Sequence, residues 1–301
     1  MLESDQDPPA SPVCRRPLLK FVRIRKGPNT WVVQKGMEEL LDKVGRWGYQ
    51  DWLAGSGVTR IQEPTTRLAL LYRRHAASAP VFVKVSRFIR RRKKMRSLLR
   101  HSDSDKDWHN SVTAWSRGLP TPQPIGLGEQ RQWGMLQETY YITEALEGYR
   151  PSLDLFHEPP EGTASADWIG LRRDFLVEFG RLVRRLQGEG LIHRQLGPLN
   201  ILVRKDPDRP IHVSFTDNKH MEIHHVVTPE HRLENLVRTY YQWLAYLPGT
   251  EMRLPDIFRF LRDYRKKGDP PLKDLFGRVV TQVYRQADRY AHRNMVPPPI
   301  R

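Results

Sequence analysis

Runs of apolar and β-branched residues alternate along the first half of the chain with polar, turn-forming stretches. "RLALLYRR" and "PVFVKVS" read as two strands, with "HAASA" between them as a hairpin loop of small residues. The spacing then changes to four and three at Trp108, Val112 and Trp115, which places those side chains on one face of a helix. That helix ends in "RGLPTPQPIGLGE", where Pro120, Pro122 and Pro124 forbid helix and force extended chain. A strand, "TYYITEAL", and a turn, "EGYRPSL", follow. Farther on, Leu171, Phe175, Phe179, Leu182, Val183 and Leu186 recur on one helical face, and Gly188 and Gly190 stop the helix. "NILVR" and "IHVSFTD" form a strand pair around the turn "KDPDRP", and Leu233, Leu236, Val237, Tyr240 and Leu244 mark another amphipathic helix. Upstream, residues 18–60 mix short strands with a helix at "MEELLDKV", ahead of a "GSG" that most often marks a turn. Strands early, helices late and no internal repeat predict a two-lobed α+β architecture.

Composition adds a core, an address and a sign. A chain of 301 residues with 39% hydrophobic content can bury a real core. No apolar run has membrane-spanning length, and "MLESDQDPPASPVCRRP" is acidic and proline-rich where a secretory signal needs a basic start and an apolar stretch. The expectation is a cytoplasmic protein. The lone Cys14 rules out an intramolecular disulfide and makes a catalytic thiol a poor reading. With 50 Lys plus Arg against 34 Asp plus Glu, the net charge of +16 calls for anionic partners: nucleic acid, a membrane surface, or a phosphorylated or acidic substrate. The densest block is "RFIRRRKKMR", and eight positive charges lie between Arg87 and Arg100 with no acid among them. A docking surface fits this run better than a solvated loop, and the expectation is peripheral association with an anionic membrane through Arg87 to Arg96. Nucleic acid is the weakest of the three partners, because no zinc spacing, RNA-recognition signature or basic zipper accompanies the charge.

The order of elements and the residues in them resemble the protein-kinase-like superfamily, and within it the lipopolysaccharide core kinases that phosphorylate heptose or Kdo sugars. The resemblance covers roughly residues 60 to 250. It is carried by the strand lysine Lys84 in "VFVKVS", the helix carboxylate Asp107 in "KDWHNSVTAWSRGLPTPQPIGLGE", the hinge "YYITEALEG", the loop "GLIHRQLGPLN" and the aspartate Asp217 in "SFTDNKH". It implies a two-lobed kinase-like fold. A small antiparallel-sheet lobe with one helix would span residues 18–143 and a larger helical lobe residues 144–290, with tails at 1–17 and 291–301. It also implies ATP and Mg²⁺ as cofactors, and an anionic glycolipid or phosphorylated sugar as acceptor at the inner membrane face.

The implied roles fit the chemistry, since phosphoryl transfer is mostly positioning and charge neutralisation. Lys84 lies inside an apolar strand, where an ammonium is costly unless it meets anions, so the nucleotide phosphates suit it better than water at a sheet edge. Asp107 would be its ion-pair partner, and Glu144 and Leu146 of the hinge would line the nucleotide. Asn200 and Asp217 would hold magnesium, a hard dication that takes oxygen donors. The bland readings are an exposed helix acid, a turn-capping asparagine and a strand-end aspartate. His193 and Arg194 fit bracing of the loop better than reaction. Two departures weigh against activity. Gln195 stands five residues before Asn200, in place of the aspartate that accepts the proton of the attacking hydroxyl, and a primary amide cannot take up that proton. No glycine-rich loop is present, with Glu63 and Pro64 where backbone amides would cradle phosphate. A lesser one is Gln187, where a histidine is common. The readings that remain are a sugar kinase, a pseudokinase that keeps the fold, and a nucleic-acid-binding protein.

Overall fold

A computed structural model describes residues 16–62, 66–74, 78–98, 101–157, 159, 164–205, 211–247 and 253–291. Cys14, Glu63, Pro64, Arg100 and nearly all of both proposed tails lie outside these residues.

The first half is built on one antiparallel sheet. Its strands are β1 (Phe21–Lys26), β2 (Asn29–Gln34), β3 (Val58–Gln62), β4 (Arg67–Tyr72), β5 (Val81–Arg87), β6 (Pro124–Gln132) and β7 (Met135–Glu144), in the order β1-β2-β6-β7-β5-β4-β3. The helices α1 (Leu40–Val44), α2 (Tyr49–Ala54), α3 (Arg91–Arg96) and α4 (Asp103–Ser116) connect or cover them. Alternation in β5 sends Val81, Val83 and Val85 into a core with Trp31, Trp52, Leu68, Leu70 and Tyr72, and leaves Lys84 on the opposite face. Trp108 of α4 packs on that second face against Leu127 and Tyr141, edge-on to Phe21 with ring centroids 4.6 Å apart.

The second half is mainly helical. The helices α5 (Ser165–Gly188), α6 (Pro229–Tyr246), α7 (Leu254–Tyr264) and α8 (Leu272–Ala291) enclose a core centred on Phe175, Phe179, Trp243 and Tyr264. The short strands β8 (Arg150–Pro151), β10 (Ile201–Arg204) and β11 (His212–Phe215) make one small sheet, and β9 (Leu191–His193) pairs with β12 (Met221–Ile223). The fold is thus the expected two-lobed, kinase-like α+β arrangement, except that the sheet half carries four helices, α1 to α4, where one was expected.

Two local expectations change. Arg150 and Pro151, taken for a turn, form the edge strand β8, where the missing Pro N–H disturbs no central ladder. Among the elements without a clear sequence signal, α2, β3 and β12 are six, five and three residues long, too short for a period to show.

Candidate active site

Antiparallel pairing fixes Lys84 in the middle of β5, between Ala69 of β4 and Tyr141 of β7. Its ammonium sits 3.0 Å from Asp107 Oδ2 and 3.3 Å from Asp217 Oδ1. Burial alone pulls Lys84 down, but the two carboxylates outweigh it and hold the pKa above the ordinary lysine value. The lysine is therefore a fixed cation.

Asp107 is buried on α4, and its Oδ1 has no hydrogen-bond partner among the described residues. The helix start is fixed by Ser102, whose side chain accepts from Asp105 N at 3.0 Å. One turn beyond Asp107, the same face carries Asn110 and Ser111, which sequence reading overlooked. Asn110 Nδ2 donates to the carbonyls of Asn218 and Met221 at 2.7 and 2.9 Å, and Ser111 Oγ accepts from Asn218 Nδ2 at 2.8 Å and from the Tyr141 hydroxyl at 2.6 Å. Asn218 also donates to Thr121 Oγ1 at 2.9 Å. These bonds tie the helix bearing Asp107 to the segment bearing Asp217. A polar stripe at i, i+3 and i+4, Asp107, Asn110 and Ser111, next to the apolar face of Trp108, Val112 and Trp115, was the signal that could have revealed them.

Asp217 itself is left-handed, with φ 63° and ψ 47°, a conformation that aspartate tolerates better than most residues. Lys219 Nζ bridges its two oxygens at 2.7 and 2.9 Å. Burial pushes the carboxyl up, but Lys84, then Lys219 and His220, hold it far below the usual carboxylate range. Asp217 is a permanent anion. Lys219, two residues on in a string that sequence reading had already singled out, is a third residue it missed.

The loop from His193 to Asn200 is held from below. His193 is buried, with its ring edge-on to Phe215, and its Nδ1 accepts from the Gln195 N–H at 3.2 Å. Burial lowers its pKa to about 4, so the ring is neutral at physiological pH. Arg194 pairs with Glu222, and with Glu234 at 3.0 Å. Both residues brace. Asn200 Nδ2 donates to the Gln195 carbonyl at 3.0 Å, closing the loop and leaving Oδ1 as the amide atom with ligand chemistry. The Asn200 carbonyl accepts from Thr216 N at 2.9 Å, which sets Asn200 beside the residue before Asp217. Gln195 is half-buried at the head of this loop. Gln187 lies under it: its Nε2 donates to Asn235 Oδ1 at 3.0 Å, and Asn235 Nδ2 donates to the His193 carbonyl at 2.8 Å.

Between the halves lies a cleft of about 410 Å³, within the usual range for a small-molecule site. Its walls include Ile61, Leu71, Phe82, Leu199 and Leu202, and Lys84, Asp107 and Asp217 stand together in it. Glu144 and Leu146 line it too, with Glu144 fixed by the Gln123 N–H to its Oε1 at 3.0 Å. The cleft therefore joins apolar walls, suited to a flat ring, to one group of paired charges.

Comparison with known proteins agrees with this arrangement. A sequence model described as "Lipopolysaccharide kinase (Kdo/WaaP) family" matches residues 62–264. The solved structure "WaaP in complex with acyl carrier protein" superposes with a TM-score of 0.57 at 18% identity, over 86% of this chain and 98% of that one. No curated protein matches the chain.

Proposed function

The chain belongs to the lipopolysaccharide kinase (Kdo/WaaP) family, and from that premise we propose that it transfers the γ-phosphoryl group of ATP to a hydroxyl of a core sugar. The acceptor in this reading is carried on a lipid-linked glycan at the cytoplasmic membrane face. The observation that carries the proposal is the Lys84 ammonium, held between Asp107 and Asp217 in an apolar-walled cleft.

The residues present fit both cofactors. For the nucleotide, the fit rests on the volume of the cleft, its aliphatic walls and a cation poised for phosphate oxygens. For magnesium, it rests on the donor set: the Asp217 carboxylate and the Asn200 amide oxygen are hard ligands. Lys219, seated across both Asp217 oxygens, is a stand-in that marks the place of a cation. Bound ATP supplies the phosphoryl group and magnesium neutralises its charge.

Within this frame each residue has a limited task. Lys84 binds phosphate oxygens while Asp107 keeps its ammonium in place. Glu144 and Leu146 would border the nucleotide base. Asn200 and Asp217 would hold the metal, whose charge would be shared with Lys219 beside it. Gln195 orients the acceptor hydroxyl through a hydrogen bond but takes no proton from it. His193 and Arg194 keep the loop rigid. A second reading, a nucleotide-binding pseudokinase, is favoured by one observation, the amide at Gln195.

Thermal shift and turnover test the two together. ATP with magnesium should raise the melting temperature of the wild type and leave Lys84→Ala unmoved. Wild type should also consume ATP in the presence of core glycolipid acceptors. A thermal shift without turnover on any acceptor leaves the pseudokinase; no shift at all removes the nucleotide site.

A further inference from the structure

The sheet has two ends, and the one remote from the hinge carries an unusual surface. Strand β7 runs from Met135 at that end to Glu144 at the hinge, and β5 runs back toward it, reaching Arg87 opposite Glu138. There Arg90, just before α3, and Arg91, Arg92, Lys93 and Arg96 of α3 face solvent, and none of the five forms an ion pair among the described residues. Interleaved with them are Ile89, Met95 and Leu98, which are 55%, 60% and 49% exposed. No acid occurs in 87–98 or in 130–137.

The β6–β7 turn sits beside this helix. Gln132 pairs with Met135, so Trp133 and Gly134 form a two-residue turn with φ of 50° and 77°. Such turns favour Asn-Gly, because both residues need positive φ. An indole there is strained, and with 86% exposure it recovers nothing by burial. The turn and the helix make one firm unit. Ser97 Oγ accepts from Leu136 N at 3.0 Å, Phe88 N donates to the Gln137 carbonyl at 2.8 Å, and Lys94 reaches the Gln137 side chain. Leu98 lies so close to Gly134 that a Cβ there would stand 3.2 Å from its methyl group.

We infer that α3 and the Trp133 turn form a docking surface for an anionic lipid bilayer. The guanidinium and ammonium groups meet lipid phosphates, Trp133 enters the interfacial layer, and Ile89, Met95 and Leu98 reach the acyl boundary. A nucleic acid would satisfy the charges but bury none of the aliphatic side chains against its phosphates. The placement also suits a membrane-borne acceptor: Arg87 is three residues beyond Lys84 on β5, about 10 Å along the strand. The surface lies outside the cleft, so the inference stands whether or not phosphoryl transfer occurs there.

Flotation of the full chain with phosphatidylcholine vesicles, with and without phosphatidylglycerol, tests it without any nucleotide. The wild type should float with the anionic vesicles only, and less at high salt. Trp133→Asn, which suits the turn and so keeps the fold, should weaken binding about tenfold and retain the salt dependence. Arg91→Gln with Lys93→Gln should weaken it about fivefold per charge removed and flatten the salt dependence. Equal flotation with neutral vesicles, undiminished binding by Trp133→Asn, or tighter binding to a single-stranded DNA oligonucleotide than to anionic vesicles would each overturn the inference.

Discussion

At the scale of single residues, the proposed phosphoryl transfer turns on an amide. Gln195 can orient a hydroxyl but cannot take its proton, and general base catalysis is typically worth ~10²–10⁴ in rate. Its loop is otherwise closed, with Asn200 bonded back to the Gln195 carbonyl and the Gln195 N–H on His193. Gln195→Asp should therefore raise ATP turnover with acceptor glycolipid about tenfold or more. Adding Asp217→Ala should abolish that gain, because the anion that gathers Lys84 and Lys219 is then gone. A slower Gln195→Asp enzyme would show that the amide belongs to a working mechanism. Lys84, Asp107, Asn200 and Asp217 were legible in the sequence because each sits in a short string with recognisable neighbours. Asn110 and Ser111 were not, because their partners lie on other elements, whereas Lys219 lies only two residues from Asp217 and drew no notice beside it. Asn218, which Asn110 and Ser111 both reach, is about a hundred residues away along the chain.

At the scale of elements, periodicity predicted α5 well, but it said nothing of why Gly180 stands in the middle of the helix. The structure supplies the reason. A Cβ at Gly180 would lie 2.4 Å from the Phe260 carbonyl oxygen and 3.0 Å from the Tyr264 nitrogen, so α5 and α7 touch backbone to backbone. Gly180→Ala adds helix propensity yet must push α7 away. The expected result is a net loss of about 1–3 kcal/mol in a urea titration; unchanged or greater stability would mean that α7 yields freely. Helix α7 was not among the elements the sequence reading drew. Its register against α5 depends on one missing methyl group, which no period in either segment records.

At the scale of the whole molecule, buried polar links hold the loop and the helical lobe together. The Tyr264 hydroxyl donates to Gln187 Oε1 at 2.7 Å, Arg232 Nε donates to the same hydroxyl oxygen at 3.0 Å, and Arg232 pairs with Asp269 through two bonds of 2.7 and 2.8 Å. Burial raises the Tyr264 pKa to about 12, against ~10 in an unfolded chain. The unfolded state releases its proton first, so this stabilising term is complete below pH 10 and is lost as pH rises toward 12. Alkaline melting curves should fall over that window, by about 2–3 kcal/mol from this tyrosine, and Tyr264→Phe should flatten the fall. An identical alkaline slope in the variant would assign it to other groups. The sequence by itself determined the sequence-local properties: many of the strands and the helices α4, α5 and α6, whose side-chain periods are written in consecutive residues, the two-lobed class, the excess of positive charge, and Lys84, Asp107, Glu144, Leu146 and Asp217 of the cleft. Tertiary structure alone decided which polar groups meet across the cleft, why Gln187 and Gly180 occupy their positions, and that the basic run shares a surface with an exposed, strained tryptophan. Hydrogen bonds, close backbone approach and shared surfaces depend on separations of a few ångströms between residues far apart in the chain, and the folded path sets those separations.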